Sequence, residues 1–172
     1  SPEVVVIAID ERSIEAIGRW PWRRAIHAQL VRHLSAQNPK AIGLDVLFSE
    51  EDLDYPADDA LLASAIADSG RVVLPVAQDL AGRPVGQLPA LVQAAAALGH
   101  VQLRVDADGG VRSFAPRAGL AGQSHLHLGL AMRCVARPQD ALCAPQPAGA
   151  PPALQYIGFA GGNPAFTTYS YI

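Results

Sequence analysis

Long hydrophobic runs and clusters of basic residues are missing from this sequence. Half of its 172 residues are apolar, yet the longest uninterrupted apolar runs fall far short of the roughly 20 residues of a membrane-spanning helix. Its 13 basic and 16 acidic residues give a net charge of −3 without any basic tract. Because proteins bind nucleic acids largely by neutralising phosphates, this balance argues against a nucleic-acid partner.

Sequence motifs of common catalytic centres are missing as well. The segment that follows the first predicted strand, Ile9-Asp10-Glu11-Arg12, is too bulky for a phosphate-binding glycine loop. Neither Ser13 nor Ser124 lies in a Gly-x-Ser-x-Gly elbow, and the sole lysine, Lys40, is not placed to assist phosphoryl transfer. We therefore expect a protein without enzymatic activity and without a cofactor.

Cysteine is scarce, because only Cys134 and Cys143 are present. Two cysteines are too few for a disulfide scaffold, and their spacing does not suit a zinc site. In an oxidising compartment they could form one local bridge worth about 2.5–3 kcal/mol of loop entropy, and in a reducing one they would be two ordinary thiols. The residues alone leave both possibilities open.

The length predicts a single domain over residues 1–172. A chain of this size buries roughly 70% of its unfolded surface, so it can fold without metal or disulfides. A proline-rich loop at about 138–152 lies too near the end to define a second domain. The sequence opens with Ser1 rather than methionine and stops at Ile172 without a terminating pattern, so we expect a segment of a longer protein, incomplete at its C-terminus.

Alternating strands and helices are the main positive signal. The apolar runs Val4–Ile9 and Ala41–Phe48 predict buried parallel strands, and Trp20-Pro21-Trp22 is predicted to open the helix between them. A helix over Asp59–Asp68 and a strand over Arg71–Ala77 complete a second crossover.

A hairpin is predicted further along at Asp106–Gly110, because glycines accept the positive φ of tight turns. Ser124–Ala136 is predicted as an amphipathic helix. The whole pattern predicts an α/β fold with a central, mostly parallel sheet, helices on both faces and a β-hairpin excursion near residues 100–116.

Two aspartates, Asp10 and Asp45, lie near the ends of predicted neighbouring strands and should meet at one edge of the sheet. Such a pair could hold Mg²⁺ or act as acid and base, so a Mg²⁺-dependent hydrolase is an alternative function. The sequence around Asp10 lacks the Asp-x-Asp pattern of phosphoryl-transfer sites with this topology. We therefore favour a structural or ligand-contacting role for both carboxylates.

Trp20 and Trp22 are two residues apart, so we expect one to pack in the core and the other to line a crevice. Arg23 and Arg24 stand at a predicted helix start, where cations are electrostatically unfavourable. This misfit predicts a partner, either a carboxylate such as Asp10, which we favour, or an anionic ligand. The candidate ligand-binding site lies at the strand ends and comprises Asp10, Ser13, Trp20, Trp22, Arg23, Asp45 and Phe48.

No metal site is predicted. The acidic stretch 50–59 lacks the ligand order and central glycine of a calcium loop, so we predict a solvated loop whose Asp58 could cap the next helix. Asp106 and Asp108 fail the same pattern. His125 and His127, two residues apart on a predicted helix, would project to different sides and suit a metal poorly.

Four segments form a recognisable series along the chain. The first is VVIAIDERSIEAIGRWPWRRAIHAQLVRHL, whose core Ile17-Gly18-Arg19-Trp20-Pro21-Trp22-Arg23-Arg24 is the most specific part. AIGLDVLFSE follows, with Asp58 and Leu62 beyond it, then LGHVQLRVDADGGVR, and finally LQYIGFAGG with FTTYSYI. Together they resemble the CHASE2 family of bacterial extracytoplasmic sensor domains over nearly the whole chain.

The resemblance implies a sensory input domain of a membrane-bound receptor, with a further strand and transmembrane helices beyond Ile172. Such receptors carry histidine kinases, nucleotide or diguanylate cyclases or serine/threonine kinases. The resemblance also implies an unknown small-molecule or protein signal, a homodimer in the full receptor, and a location on the periplasmic side of the bacterial inner membrane. An oxidising compartment of that kind would permit the one bridge between Cys134 and Cys143. A pure dimerisation or protein-interaction module is the remaining alternative function.

Overall fold

The computed structural model describes residues 4–120, 122–144, 154–157 and 166–172. Its helices are α1 (Glu11–Ile17), α2 (Arg24–Ala36), α3 (Pro56–Ser69), α4 (Pro89–Ala94) and α5 (Leu128–Ala136). Its strands are β1 (Val5–Ala8), β2 (Ile42–Gly43), β3 (Val72–Gln78), β4 (Pro84–Val85), β5 (Ala97–His100), β6 (Arg104–Val105), β7 (Val111–Phe114), β8 (Arg117–Leu120), β9 (Gln123–His127), β10 (Gln155–Tyr156) and β11 (Thr167–Ser170). Within these ranges no helix combines the length and apolarity needed to cross a bilayer.

The central sheet has the strand order β2-β3-β5-β9-β8, and β4 pairs with the end of β3. Strands β2, β3, β5 and β9 are parallel to one another, whereas β8 and β4 pair antiparallel. Parallel neighbours need crossover connections, and α3 and α4 supply them on either side of β3. The predicted α/β class with a mostly parallel sheet is confirmed.

Strand β3 shows why both faces of this sheet are covered. Successive side chains of a strand point to opposite faces, and the residues Val72, Val73 and Leu74 are all fully buried. Val72 and Leu74 join the core formed with α2, α3 and α4, while Val73 packs with Leu128 and Ala131 of α5. The prediction of helices on both faces is therefore confirmed.

The hairpin excursion is also confirmed. Strands β6 and β7 pair antiparallel around Asp106–Gly110, and β10 adds to the other edge of β7. Gly109 has φ +81°, and its N–H donates to the Asp106 carbonyl at 2.9 Å. Arg112 closes the turn through ion pairs with Asp106 and Asp108.

Strand β1 is where the sequence-based prediction is wrong. Instead of lying buried beside β2, it is half exposed and pairs in parallel with β11. Among the described residues these two strands form a sheet of their own, which we call the terminal sheet. The valine-rich run is typical of buried parallel strands, but apolar composition alone does not specify the partner strand.

Helix boundaries differ from prediction at three places. Helix α2 begins at Arg24, after a cis peptide bond between Trp20 and Pro21, rather than at the tryptophans. Helix α3 begins at Pro56, so Asp58 lies in its first turn and is not its cap. Residues 123–127 are strand β9, so only Leu128–Ala136 of the predicted helix Ser124–Ala136 is helical. Most of the predicted proline-rich loop, and the glycine-rich end of LQYIGFAGG, lie outside the described residues.

Candidate ligand-binding site

An aromatic crevice of about 460 Å³ lies between the segment that precedes α2 and the segment that follows β2. Trp20, Trp22 and Phe48 supply its aromatic walls, His27 and Arg24 of α2 contribute from below, and residues 49–54 form its rim. The volume falls within the range of small-molecule sites. Three of the seven residues predicted for the ligand site, the three aromatic ones, are therefore brought together here.

The two tryptophans divide as their spacing predicts. Trp22 is 4% exposed, and its indole Nε1–H donates to the Gly18 carbonyl at 2.7 Å. Trp20 is 36% exposed and packs edge-on against Trp22, with ring centroids 5.3 Å apart. Trp22 therefore anchors the segment in the core, and Trp20 presents a partly open ring to the crevice.

His27 lies at the floor of the crevice and was missed by the sequence analysis. It is fully buried, and its ring packs against Phe48 and Trp20 with centroids 5.2 and 5.5 Å away. Its Nδ1 shares a hydrogen bond of 2.7 Å with the Tyr171 hydroxyl, whereas Nε2 has no hydrogen-bond partner among the described residues. Helical spacing could have revealed it, because His27 precedes the buried Val31 by one turn of α2.

Burial sets the charge state of this pair. Desolvation, reinforced by the nearby Arg24 guanidinium, lowers the pKa of His27 to about 4, so the imidazole is neutral at pH 7. Burial also raises the pKa of the Tyr171 hydroxyl. A buried polar atom without a partner costs free energy, and a ligand that hydrogen-bonds His27 Nε2 would recover it.

Arg23 pairs with a protein carboxylate, but the predicted partner Asp10 is wrong. The guanidinium of Arg23 donates from Nε to Asp58 Oδ2 at 3.0 Å and from Nη2 to Oδ1 at 3.2 Å. This bidentate bond holds the pKa of the buried Asp58 carboxyl below its usual range. The N-termini of helices α2 and α3 lie next to each other. The acids in the first turn of α3 therefore contact the arginines at the start of α2.

Arg24 contacts several residues of the acidic stretch 50–59, which was predicted to be a solvated loop. Its side chain lies 3.2 Å from Asp59 and 3.6 Å from Asp52, and it donates to the Glu50 carbonyl at 2.8 Å. Its guanidinium also stands 5.4 Å over the centre of the Phe48 ring. The loop is thus folded around one arginine, and the described part of the chain holds no group of three or more acidic, histidine or cysteine side chains suited to a metal.

Asp10 and Ser13 lie outside the crevice and form a capping box at the start of α1. Asp10 Oδ1 accepts hydrogen bonds from the Ser13 N–H at 2.9 Å and from the Ser170 hydroxyl at 2.8 Å. These bonds, the Ser13 one first, lower the pKa of Asp10. The two residues therefore tie β1 and α1 to β11.

Asp45 is exposed and lies near His127. Burial lowers the pKa of His127, and the Asp45 carboxylate offsets part of this lowering. Asp10 follows β1 of the terminal sheet and Asp45 follows β2 at the edge of the central sheet, so the two carboxylates do not share a sheet edge as predicted. The expected juxtaposition fails because β1 pairs with β11 instead of β2. The Mg²⁺ site that the sequence suggested for Asp10 and Asp45 therefore lacks the shared sheet edge on which it was based.

Two further features lie on strand β9 and helix α5, namely a pair of histidines and a disulfide. His125 and His127 lie on strand β9 instead of a helix, and His127 packs 5.2 Å from the buried His100. Cys134 and Cys143 are joined in a disulfide that links α5 to a short 3₁₀ turn. Burial, followed by the neighbouring His127, lowers the pKa of His100 to about 4.

Comparison with known proteins places the chain in one family. The profile of the CHASE2 domain matches residues 1–171, which spans the three sheets and all the elements described above. Comparisons with curated proteins and with solved structures gave no match. The chain therefore belongs to the CHASE2 family, whose members are extracytoplasmic sensor domains of signalling receptors.

Proposed function

We propose that this chain is the periplasmic input domain of a bacterial inner-membrane receptor and that the aromatic crevice receives its signal molecule. The output unit of such a receptor is a histidine kinase, a nucleotide or diguanylate cyclase, or a serine/threonine kinase. Family membership supports the sensory role. The disulfide between Cys134 and Cys143 supports an oxidising compartment outside the cytoplasm.

One hydrogen bond carries the proposal. Tyr171 directly follows β11, and its hydroxyl shares a hydrogen bond with the imidazole of His27 at the crevice floor. The Tyr171 ring also packs 4.9 Å from Trp22, and its backbone N–H donates to the Ala8 carbonyl of β1. A molecule that engages His27 Nε2 therefore acts on the residue that holds the terminal sheet against α2.

This connection allows the domain to work as a two-state device. A ligand shifts an equilibrium only through different contacts in the two states. Occupancy of the crevice changes the surroundings of His27 and with it the hydrogen bond to Tyr171. The terminal sheet then repositions and passes the change along the polypeptide toward the membrane.

The first prediction tests this connection in the full-length receptor. Tyr171→Phe removes the hydroxyl that bonds His27 while keeping the ring, so we expect output activity that no longer follows the signal. Tyr156→Phe is the matched control, because Tyr156 lies on β10, outside the terminal sheet, with its ring exposed. Output measured as autophosphorylation or cyclic nucleotide formation should be uncoupled in the first variant and normal in the second. Normal signal dependence in Tyr171→Phe contradicts the proposed relay.

We also propose that the receptor is a homodimer and that the terminal sheet forms part of the contact. Symmetric dimers are the commonest assemblies of soluble domains. The strands of the terminal sheet and the residues beside them expose a set of large apolar side chains, namely Val4, Val5, Val6, Ile9, Phe166, Tyr169 and Ile172. Because successive side chains of a strand point to opposite faces, this set covers both faces of the sheet. A two-stranded sheet is marginally stable by itself, so a second copy packed against these side chains would stabilise it.

A further inference from the structure

The rim of the aromatic crevice is strongly acidic. Glu50, Glu51, Asp52 and Asp54 all line it, and the only cationic side chain in the lining is Arg24. Arg24 is already neutralised by Asp52 together with the neighbouring Asp59. The rim therefore presents an excess of negative charge to whatever enters.

Three of the rim acids have no cationic partner in the described part of the chain. Glu50, Glu51 and Asp54 are exposed, and none of them takes part in an ion pair among the described residues. Asp52, in contrast, is half-buried and accepts hydrogen bonds from the Asp54 and Tyr55 N–H groups. The unpaired carboxylates are thus free to attract a cation and would repel an anionic ligand.

The crevice walls suit a cation as well. The negative face of an aromatic ring attracts ammonium and guanidinium groups, and Phe48 already has the Arg24 guanidinium 5.4 Å from its centre. Trp20 has an exposed fraction of 36% and forms part of the same lining. Its partly open indole is the ring best placed to receive an incoming positive charge.

The floor supplies a second, independent indication of a ligand. His27 is fully buried, contributes to the crevice lining, and leaves Nε2 without a hydrogen-bond partner in the described residues. With Nδ1 engaged by Tyr171, Nε2 is the atom that remains for a ligand group. An apolar molecule alone would leave this nitrogen unsatisfied.

A metal ion fits these features poorly. Among the described residues no three histidine, cysteine or acidic side chains converge in a way that could hold one, and the aromatic walls offer no oxygen ligands. We propose that the crevice binds an organic ammonium compound that also carries a polar group. Its cationic nitrogen lies against Trp20 and the acidic rim, its apolar part against Trp22 and Phe48, and its polar group bonds His27 Nε2. This assignment rests on the proposed function, because it names the chemical class of the signal taken by the same crevice.

The test compares three probes of one shape on the purified full-length protein. They are 2-phenylethylammonium, neutral 2-phenylethanol and anionic phenylacetate, with binding measured by calorimetry at low and high salt. We expect the cation to bind about tenfold more tightly than the alcohol, phenylacetate to bind most weakly, and salt to weaken only the cation.

Substitutions locate the site. Glu51→Gln and Asp54→Asn should each weaken binding of the cation roughly threefold, as expected for exposed charge pairs. Glu15→Gln is the matched control, because Glu15 is exposed on α1 and lies outside the crevice lining. Trp20→Ala should abolish binding of the cation. If the Trp20→Ala protein does not fold, Glu51→Gln and Asp54→Asn still test where the cation binds.

The outcomes separate this inference from the proposed function. If the alcohol or phenylacetate binds as tightly as the cation and Trp20→Ala abolishes that binding, the ammonium class is wrong and the crevice remains a ligand site. If the cation does not bind at tens of millimolar, or binds equally well in the rim variants, the inference is overturned. The Tyr171→Phe experiment needs no added probe, so its result decides the relay separately.

Discussion

Buried polar side chains have different surroundings in this domain, and the differences explain their separate roles. Asp58 is buried with a bidentate partner in Arg23, so it remains a carboxylate. His27 and His100 are buried without any carboxylate partner among the described residues, so they remain neutral at pH 7. Charged groups tolerate burial only when paired, and the histidines avoid the cost by staying unprotonated.

A pH dependence of stability follows from the lowered histidine pKa. In the unfolded chain a histidine titrates near 6.5, whereas the pKa of His27 in the folded domain is about 4. Between these values the unfolded state binds more protons, so stability is fully present above pH 6.5 and falls as the pH drops toward 4. His27 contributes at most about 1.4 kcal/mol per pH unit in this window, and His100 acts in the same direction.

The buried His27 imidazole should account for part of this pH dependence. His27→Gln removes the titrating group, so the free energy of unfolding, measured by urea denaturation, should fall less steeply between pH 6.5 and 5 than in the wild type. His33→Gln is the control, because His33 is exposed on the same helix α2. Carboxyls with lowered pKa, such as Asp10, contribute only at lower pH. An unchanged slope in His27→Gln would contradict the burial argument.

Close packing of strands and helices is decided at glycines. Strand β5 passes so near the start of α5 that a Cβ on Gly99 would lie 2.6 Å from the Leu128 Cα and 3.2 Å from the Ala131 Cβ. The obstructing Leu128 atom belongs to the backbone, which cannot rotate away as a side chain can. A glycine at this position is therefore needed for α5 to cover the sheet.

Gly99 and Gly119 both lie in strands of the central sheet, but only Gly99 is close to α5. Gly99→Ala should destabilise the domain by about 2 kcal/mol, because α5 must shift to accept the methyl group. Gly119→Ala on β8 should change stability little, since nothing lies within 4 Å of its added Cβ. Thermal or urea unfolding of both variants measures the difference. Equal losses in the two variants would show that strand propensity, and not the contact with α5, is responsible.

Local sequence patterns predicted some elements well and others poorly, for physical reasons. Helix α3 ends where Gly70 adopts φ +60°, as a glycine after an apolar stripe indicates. Residues 124–127 were predicted as helix because they run directly into the apolar face of α5, but they pair antiparallel with β8. Only the partner strand distinguishes the two conformations, and a local pattern carries no information about it.

At the scale of the whole molecule, long-range contacts attach the terminal sheet to the rest. The Ser170 hydroxyl bonds Asp10, and the Tyr171 ring packs on Trp22 and bonds His27. These contacts partly cover the end of the sheet at Ala8 and Ser170, while Val5 and Tyr169 remain more than half exposed. Exposed apolar surface of this kind commonly marks an interaction site.

The prediction at this scale concerns self-association. Val6→Lys places a charge on the terminal sheet and should weaken dimerisation at least about tenfold, because desolvating a lysine in an apolar contact is costly. Val92→Lys on α4 is the control, since Val6 and Val92 are both 39% exposed. Sedimentation of the purified protein over a range of concentrations measures the effect. A wild type that stays monomeric, or equal effects of the two variants, would exclude the terminal sheet as the dimer contact.

The alternation of strands and helices up to β3, the hairpin at Asp106–Gly110, the α/β class and the CHASE2 resemblance could be obtained from the sequence, because periodicity, turn residues and motifs are local. Local information also placed Trp20, Trp22 and Phe48 in one candidate site. The partner of β1, the separation of Asp10 from Asp45 and the bond between His27 and Tyr171 were decided only by the tertiary structure. The Asp10–Ser170 and His27–Tyr171 bonds join residues 160 and 144 positions apart, and such pairings depend on how the whole chain buries its surface.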